Sequence, residues 1–172
     1  MAQTRRDLAY FHLPGLFEFY PLYRVFLPLY REHPEYFYGW CAIGSIYGAP
    51  ADCIWGGGRV GFGDDRPEDV LALLEECGIS ARLTFSNSLL RQEHLSDRRC
   101  NALCLRFGSR EGNGVIVASD LLTDYLRRQY PTLYLVSSTT KVLTDWDAFV
   151  RELNRPEFRY VVPDFRLNPA LD

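Results

Sequence analysis

The sequence has no apolar run approaching the roughly 20 residues that a membrane span requires, and its opening Met-Ala-Gln-Thr-Arg-Arg-Asp lacks the apolar centre of a secretory signal. It therefore reads as a cytoplasmic protein without a membrane partner. Positive charge is not in excess either. There are 19 Lys and Arg against 22 Asp and Glu, for a net charge of −3 and a pI near 5.6, which excludes long-range attraction to phosphate backbones and nucleic acid as a main partner. Histidine is scarce: His12, His33 and His94 all lie far in sequence from the hydroxyl run Ser137-Ser138-Thr139-Thr140, so nucleophilic catalysis there lacks a base. The cysteines, Cys41, Cys53, Cys77, Cys100 and Cys104, are odd in number and sit mostly in apolar patterns, which predicts reduced, buried thiols rather than a disulfide framework. Cys100 and Cys104 share a helix face, but no third or fourth ligand stands nearby, so no metal site is expected.

What is present is a repeating beat. At 172 residues and 47% hydrophobic the chain suits one globular domain with a sizeable core. Short apolar strands alternate with helical segments, and each strand ends in a polar cluster: Gly56-Gly57-Gly58-Arg59, Thr84-Phe85-Ser86-Asn87, Ala118-Ser119-Asp120, Val136 to Thr140, and Val162-Pro163-Asp164-Phe165-Arg166. The predicted fold class is α/β, a parallel sheet of about five to six strands with crossover helices, in the form of a partial or truncated (β/α) barrel. Strands are predicted at Ala51–Trp55, Ile79–Phe85, Val115–Ala118, Leu133–Val136 and Arg159–Val162, with Trp40–Tyr47 either a strand or a buried loop. Residues 1–40, holding nearly half of the aromatics, are predicted to form a helical cover, divided into two short helices by Pro21 and Pro28. Residues 41–172 carry the barrel part.

Parallel strands joined by crossovers share one carboxyl edge, so the polar ends converge there. Gly56-Gly57-Gly58-Arg59-Val60-Gly61 matches a dinucleotide spacing and supports an alternative reading as an open nucleotide-binding sheet, but Asp64 and Asp65 would repel a pyrophosphate and no ribose-binding acid ends the second strand. A tight loop holding Arg59 at the mouth as an anion binder is the simpler account. Asp120 and Asp164 both follow strands and are geometrically able to form an acid/base pair, although Asp120 also suits a helix cap. Asp164, Arg166 and Asn168 alternate with Phe165 and Leu167, so one face of an extended segment would present all three polar groups.

The order Ala51-Asp52-Cys53-Ile54-Trp55-Gly56-Gly57-Gly58, Phe62-Gly63, Thr84-Phe85-Ser86-Asn87, Gly114 to Asp120, Tyr130-Pro131, Ser137-Ser138-Thr139 and Tyr160 to Asp164 resembles the first part of the barrel of the collagenase-like peptidase family, whose wider membership includes oxygen-independent hydroxylases of ubiquinone synthesis. The resemblance spans about residues 40–168. It implies a (β/α) barrel whose site lies at the strand carboxyl ends, with Arg59, Asn87, Asp120, Ser138, Thr139 and Asp164 as pocket residues beside Arg166 and Asn168. An iron-sulfur cluster occurs in many members, held beyond the fifth strand. The chain stops before that region and none of its cysteines stands where the resemblance would place a cluster ligand, so no cofactor is expected within this chain, and whether it is an enzyme is left open. The expected function is binding of a small acidic organic ligand or peptide at the rim, with a second copy or a complementing chain supplying further strands. A noncatalytic interaction module acting through the aromatic layer is a further alternative.

Overall fold

A computed structural model describes residues 8–57 and 66–170. Six strands form a single sheet: β1 (Ala9–Leu13), β2 (Cys41–Gly48), β3 (Ser80–Phe85), β4 (Gly114–Val117), β5 (Tyr134–Ser137) and β6 (Phe158–Val161). They lie in sequence order and every neighbouring pair is parallel. Helices α1 (Tyr20–Glu32), α2 (Pro67–Glu76), α3 (Arg98–Gly108), α4 (Asp120–Gln129) and α5 (Trp146–Leu153) make the crossovers. An unchanging step from each strand to the next, with right-handed crossovers, puts the helices on one face and leaves the other open. That open face is concave. In a flat sheet five gaps of about 4.8 Å would hold the outer strands roughly 24 Å apart, yet the ring centroids of His12 on β1 and Tyr160 on β6 are 6.3 Å apart. The sheet has curled into half a barrel, as the alternation of strands and helices predicted.

Period-two alternation divides the two faces. Ala81, Leu83 and Phe85 of β3, Val115 and Val117 of β4 and Leu135 of β5 are buried against Val70, Leu71 and Leu74 of α2, Cys100, Leu103, Cys104 and Phe107 of α3 and Leu122 and Leu126 of α4. The core thus sits between sheet and helices. Each crossover starts where local chemistry dictates. Pro67 opens α2 with Glu68 and Asp69 in its first turn, and Gly78 closes it at φ 66°. Asp97, Ser119 and Asp145 cap α3, α4 and α5 by accepting from the backbone N–H of Cys100, Leu122 and Ala148.

Several expectations need correction. Ala51–Trp55 is not a strand: Ile54–Gly56 is a 3-10 turn pinned by the Asn87 amide, which donates to the Ile54 carbonyl at 2.8 Å. Two apolar residues then a tight glycine turn leave too little length for a ladder. Of the two readings of Trp40–Tyr47, strand or buried loop, the structure has the strand, β2, and the aromatic segment contributes β1 as well as a helix. The aromatic pair Tyr10-Phe11 suits an edge strand as well as a cover. One helix, α1, replaces the expected two, because Pro21 falls in its first turn and Pro28 is tolerated inside it. Asp164 to Asn168 is not extended: Phe165–Ala170 coils into a 3-10 turn. Cys53 and Cys100 form a disulfide, against the expectation of free thiols throughout. Cys41, Cys77 and Cys104 are free, with burial pushing the Cys104 thiol well above its usual range. Sequence separation of 47 hid that pair. No helix among the described residues is long and apolar enough to cross a membrane.

Leu83 is fully buried in the core while Leu22 on α1 is 59% exposed. Leu83→Ala is therefore expected to cost about 2–5 kcal/mol and Leu22→Ala no more than about 0.5 kcal/mol, read by urea denaturation.

Candidate functional site

The concave face is built from the side chains that alternate away from the core. Two strand glycines shape it. A Cβ on Gly114 would meet the Tyr134 ring at 2.5 Å, and one on Gly44 would meet His12 Cε1 at 2.9 Å, so each glycine lets an aromatic ring lie flat across the sheet. Tyr134, Tyr160 and His12 then surround Arg82, which projects from β3. The Arg82 guanidinium carbon sits 5.3 Å from the Tyr134 ring centroid and 5.0 Å from that of Tyr160, and its Nε donates to the Tyr134 hydroxyl at 2.5 Å. Tyr134 also shares a 2.6 Å hydrogen bond with Ser80 Oγ.

Arg82 is only 4% exposed, and no carboxylate among the described residues forms an ion pair with it. An arginine stays charged at any ordinary pH, and a buried charge without a counter-ion is costly. Its neighbours register the field: burial, with the Arg82 charge adding to it, holds the His12 pKa below its usual value, and His12 Nδ1 is 2.8 Å from the buried Ser45 hydroxyl.

Two chambers meet at Arg82 and His12. The upper one, about 370 Å³, opens at the strand carboxyl ends between Gly15, Gly48, Ser86, Ser138, Thr139 and Thr140. Thr84 Oγ1 lies beneath it, buried and without a hydrogen-bond partner among the described residues. The lower one, about 460 Å³, lies over the first halves of the strands and is lined by Tyr10, Ser80, Tyr134, Arg159 and Tyr160 besides the shared pair. The arrangement can neutralise and orient an anion with a guanidinium and several hydroxyls. Among the described residues no group of three or more His, Cys, Asp or Glu is placed to hold a metal ion.

Of the residues singled out from sequence, Ser138 and Thr139 border the upper chamber. Asn87 sits at the same end of the sheet but spends its amide on Ile54 and its Oδ1 on the Leu89 N–H. Asp164 grips Arg166 through two bonds of 2.8 and 2.9 Å, which holds its carboxyl below the usual range and neutralises that guanidinium. Asn168 is exposed on the final 3-10 turn. Arg59, with Gly58 to Gly61, lies outside the described residues. Asp120 begins α4 and binds Lys141 Nζ at 3.0 Å and Arg155 Nη1 at 2.6 Å. It belongs to an ionic cluster in which Glu152 accepts from Lys141 at 2.7 Å, from Arg155 at 3.2 Å and from Ser137 at 2.5 Å. Arg82 and His12 were missed because each sits singly within an apolar strand pattern. The available signal was Gly44 and Gly114, glycines inside strands that mark a close approach.

Comparison with protein-family models, curated proteins and solved structures returns no match to this chain.

Lys141 and Glu152 have side chains only 9% and 8% exposed. Lys141→Met would leave Glu152 with Arg155 and the Ser137 hydroxyl and is expected to cost about 1.5–3 kcal/mol in chemical denaturation. Burial raises the Glu152 pKa, but the hydrogen bonds from Lys141 and Ser137 outweigh it and the net shift is downward. A folded-state pKa below the unfolded value means that this contribution is complete above roughly pH 4.3 and lost as pH falls through the folded pKa. Acid titration of stability in wild type and in Lys141→Met should therefore converge at low pH.

Proposed function

We propose that this half-barrel binds a small acidic organic ligand or an acidic peptide at the carboxyl ends of its strands, with the anionic group reaching down to Arg82. The observation that carries the reading is the Arg82 guanidinium: nearly inaccessible, without an acidic partner among the described residues, and shared by both chambers. Proteins seldom keep an uncompensated buried cation unless it serves a ligand, since an apolar side chain of similar volume would stabilise the fold. The free Thr84 hydroxyl and the Ser138-Thr139-Thr140 hydroxyls supply further contacts at the mouth. The shape accords with the expectation drawn from collagenase-like peptidases, but the reading takes only ligand capture from it and assigns no peptidase or hydroxylase step.

A second copy or a complementing chain completes the barrel in this reading. Support comes from β1 and β6, each paired on one side alone among the described residues, and from Phe11 on β1 and Val162 just beyond β6, both exposed.

Calorimetric titration with glutarate, with glutaramide as its uncharged counterpart and with a short Glu-containing peptide tests the reading. The acids are expected to bind and the amide not to. Arg82→Met should weaken the acids by about 1.5–3 kcal/mol while leaving the fold as stable or more so. Equal binding by wild type and Arg82→Met would remove Arg82 from the site, and a large loss of stability in that variant would mark it as a structural residue. Thr84→Val, which removes a hydroxyl without a partner, provides a variant expected to fold in any case.

A further inference from the structure

Arg82 is not alone on its pair of rings. The guanidinium carbon of Arg159 lies 5.0 Å from the Tyr134 ring centroid and 5.5 Å from that of Tyr160, the same two rings that hold Arg82 at 5.3 and 5.0 Å. Both cations line the lower chamber, and among the described residues no Asp or Glu lines it. No ion pair neutralises either of them among the described residues. Two like charges drawn to one pair of rings repel each other in a partly enclosed space, and an anion between them removes that repulsion.

The hydroxyls fit the same guest. Arg82 Nε donates to the Tyr134 oxygen, and Tyr134 and Ser80 share a single hydrogen bond. Two hydroxyl protons and one bond between them leave one proton unspent, whichever oxygen is the donor. The chamber therefore offers two guanidiniums and one hydroxyl donor on the same wall.

We infer that the lower chamber is a two-arginine receptor for a dianionic head group on one centre, the phosphate monoester of a small organic molecule. This goes beyond the acidic ligand proposed for the upper chamber: it is a second site that shares Arg82 and His12 with the first. A single tetrahedral centre suits guanidiniums that converge on one ring pair better than two carboxylates set apart on a carbon chain do. The dianion carries the two charges that the arginines match, and the chamber of about 460 Å³ has room for the phosphate and a small organic body. Tyr10 and the exposed edges of Tyr134 and Tyr160 are the apolar surface that body would meet.

The test is calorimetric titration at pH 8 with phenyl phosphate, a dianion, and methyl phenyl phosphate, a monoanion of nearly the same size, in wild type, Arg159→Gln and Arg82→Met. Wild type is expected to bind the dianion at least tenfold more tightly. Arg159→Gln, at an exposed position where folding is not at stake, should reduce that preference to threefold or less while leaving the monoanion within threefold of wild type. Arg82→Met should lose both. Equal affinity for the two esters in wild type, or an undiminished preference in Arg159→Gln, overturns the assignment. If glutarate binds and neither phosphate ester does, the dianion receptor is wrong and the broader acidic-ligand reading stands. If no acid of either kind binds, both fall.

Discussion

The tight curl of the parallel sheet is the constraint from which the rest follows. It brings β1 across to β6, so that His12 and Tyr160 meet although five strand spacings separate their backbones. A flat sheet of the same strands would expose Arg82 to solvent, where its charge would need no partner. Curling encloses it between two tyrosine rings, and only then is an ordinary arginine in mid-strand a buried cation. Gly44 and Gly114 make this arrangement sterically feasible, because a methyl at either position would collide with the ring now lying over it.

The two faces of the sheet solve the same electrostatic problem in opposite ways. On the helix side Lys141, Arg155, Asp120, Glu152 and Glu157 form a closed network in which every buried charge has partners of the other sign. That network ties α5 to β5 through Ser137 and to the first turn of α4 through Asp120, which is the behaviour of a structural cluster. On the concave side Arg82 has aromatic faces and a tyrosine hydroxyl but no carboxylate among the described residues. Its companion Arg159 adds to the positive potential. The contrast separates groups whose interactions are already complete from groups that still have capacity for a guest.

Much of the architecture was legible in the residues. Val115-Ile116-Val117 is a continuous apolar run in which Val115 and Val117 are buried under the helices and Ile116 lines the open face, and α4 and α5 announced themselves through apolar spacing after Ser119-Asp120 and Asp145. Errors fell where local pattern underdetermines state. Short apolar segments beside glycine fit strand or turn equally well, so residues 51–55 read as a strand where the structure has a turn and residues 40–47 stayed open between strand and loop, and an aromatic stretch with two prolines disguised β1 and a single α1. The site was less legible than the fold. Polar strand ends drew attention to Asp120, Asp164 and Arg166, yet the structure pairs each with an opposite charge, while Arg82 drew none in the middle of Ser80–Phe85.

What the amino-acid order determined by itself is the alternation of apolar strands and amphipathic helices, the parallel class that such alternation requires, and the absence of an excess of positive charge. These are local or additive properties, and periodicity and summed charge record them without knowledge of neighbours. Only the tertiary structure decided which polar side chains become partners, that Cys53 meets Cys100, and that two arginines 77 positions apart by their numbering, Arg82 and Arg159, share the faces of Tyr134 and Tyr160. Pairing and desolvation depend on how far the sheet curls, and curl is a collective property of six strands that no single segment encodes.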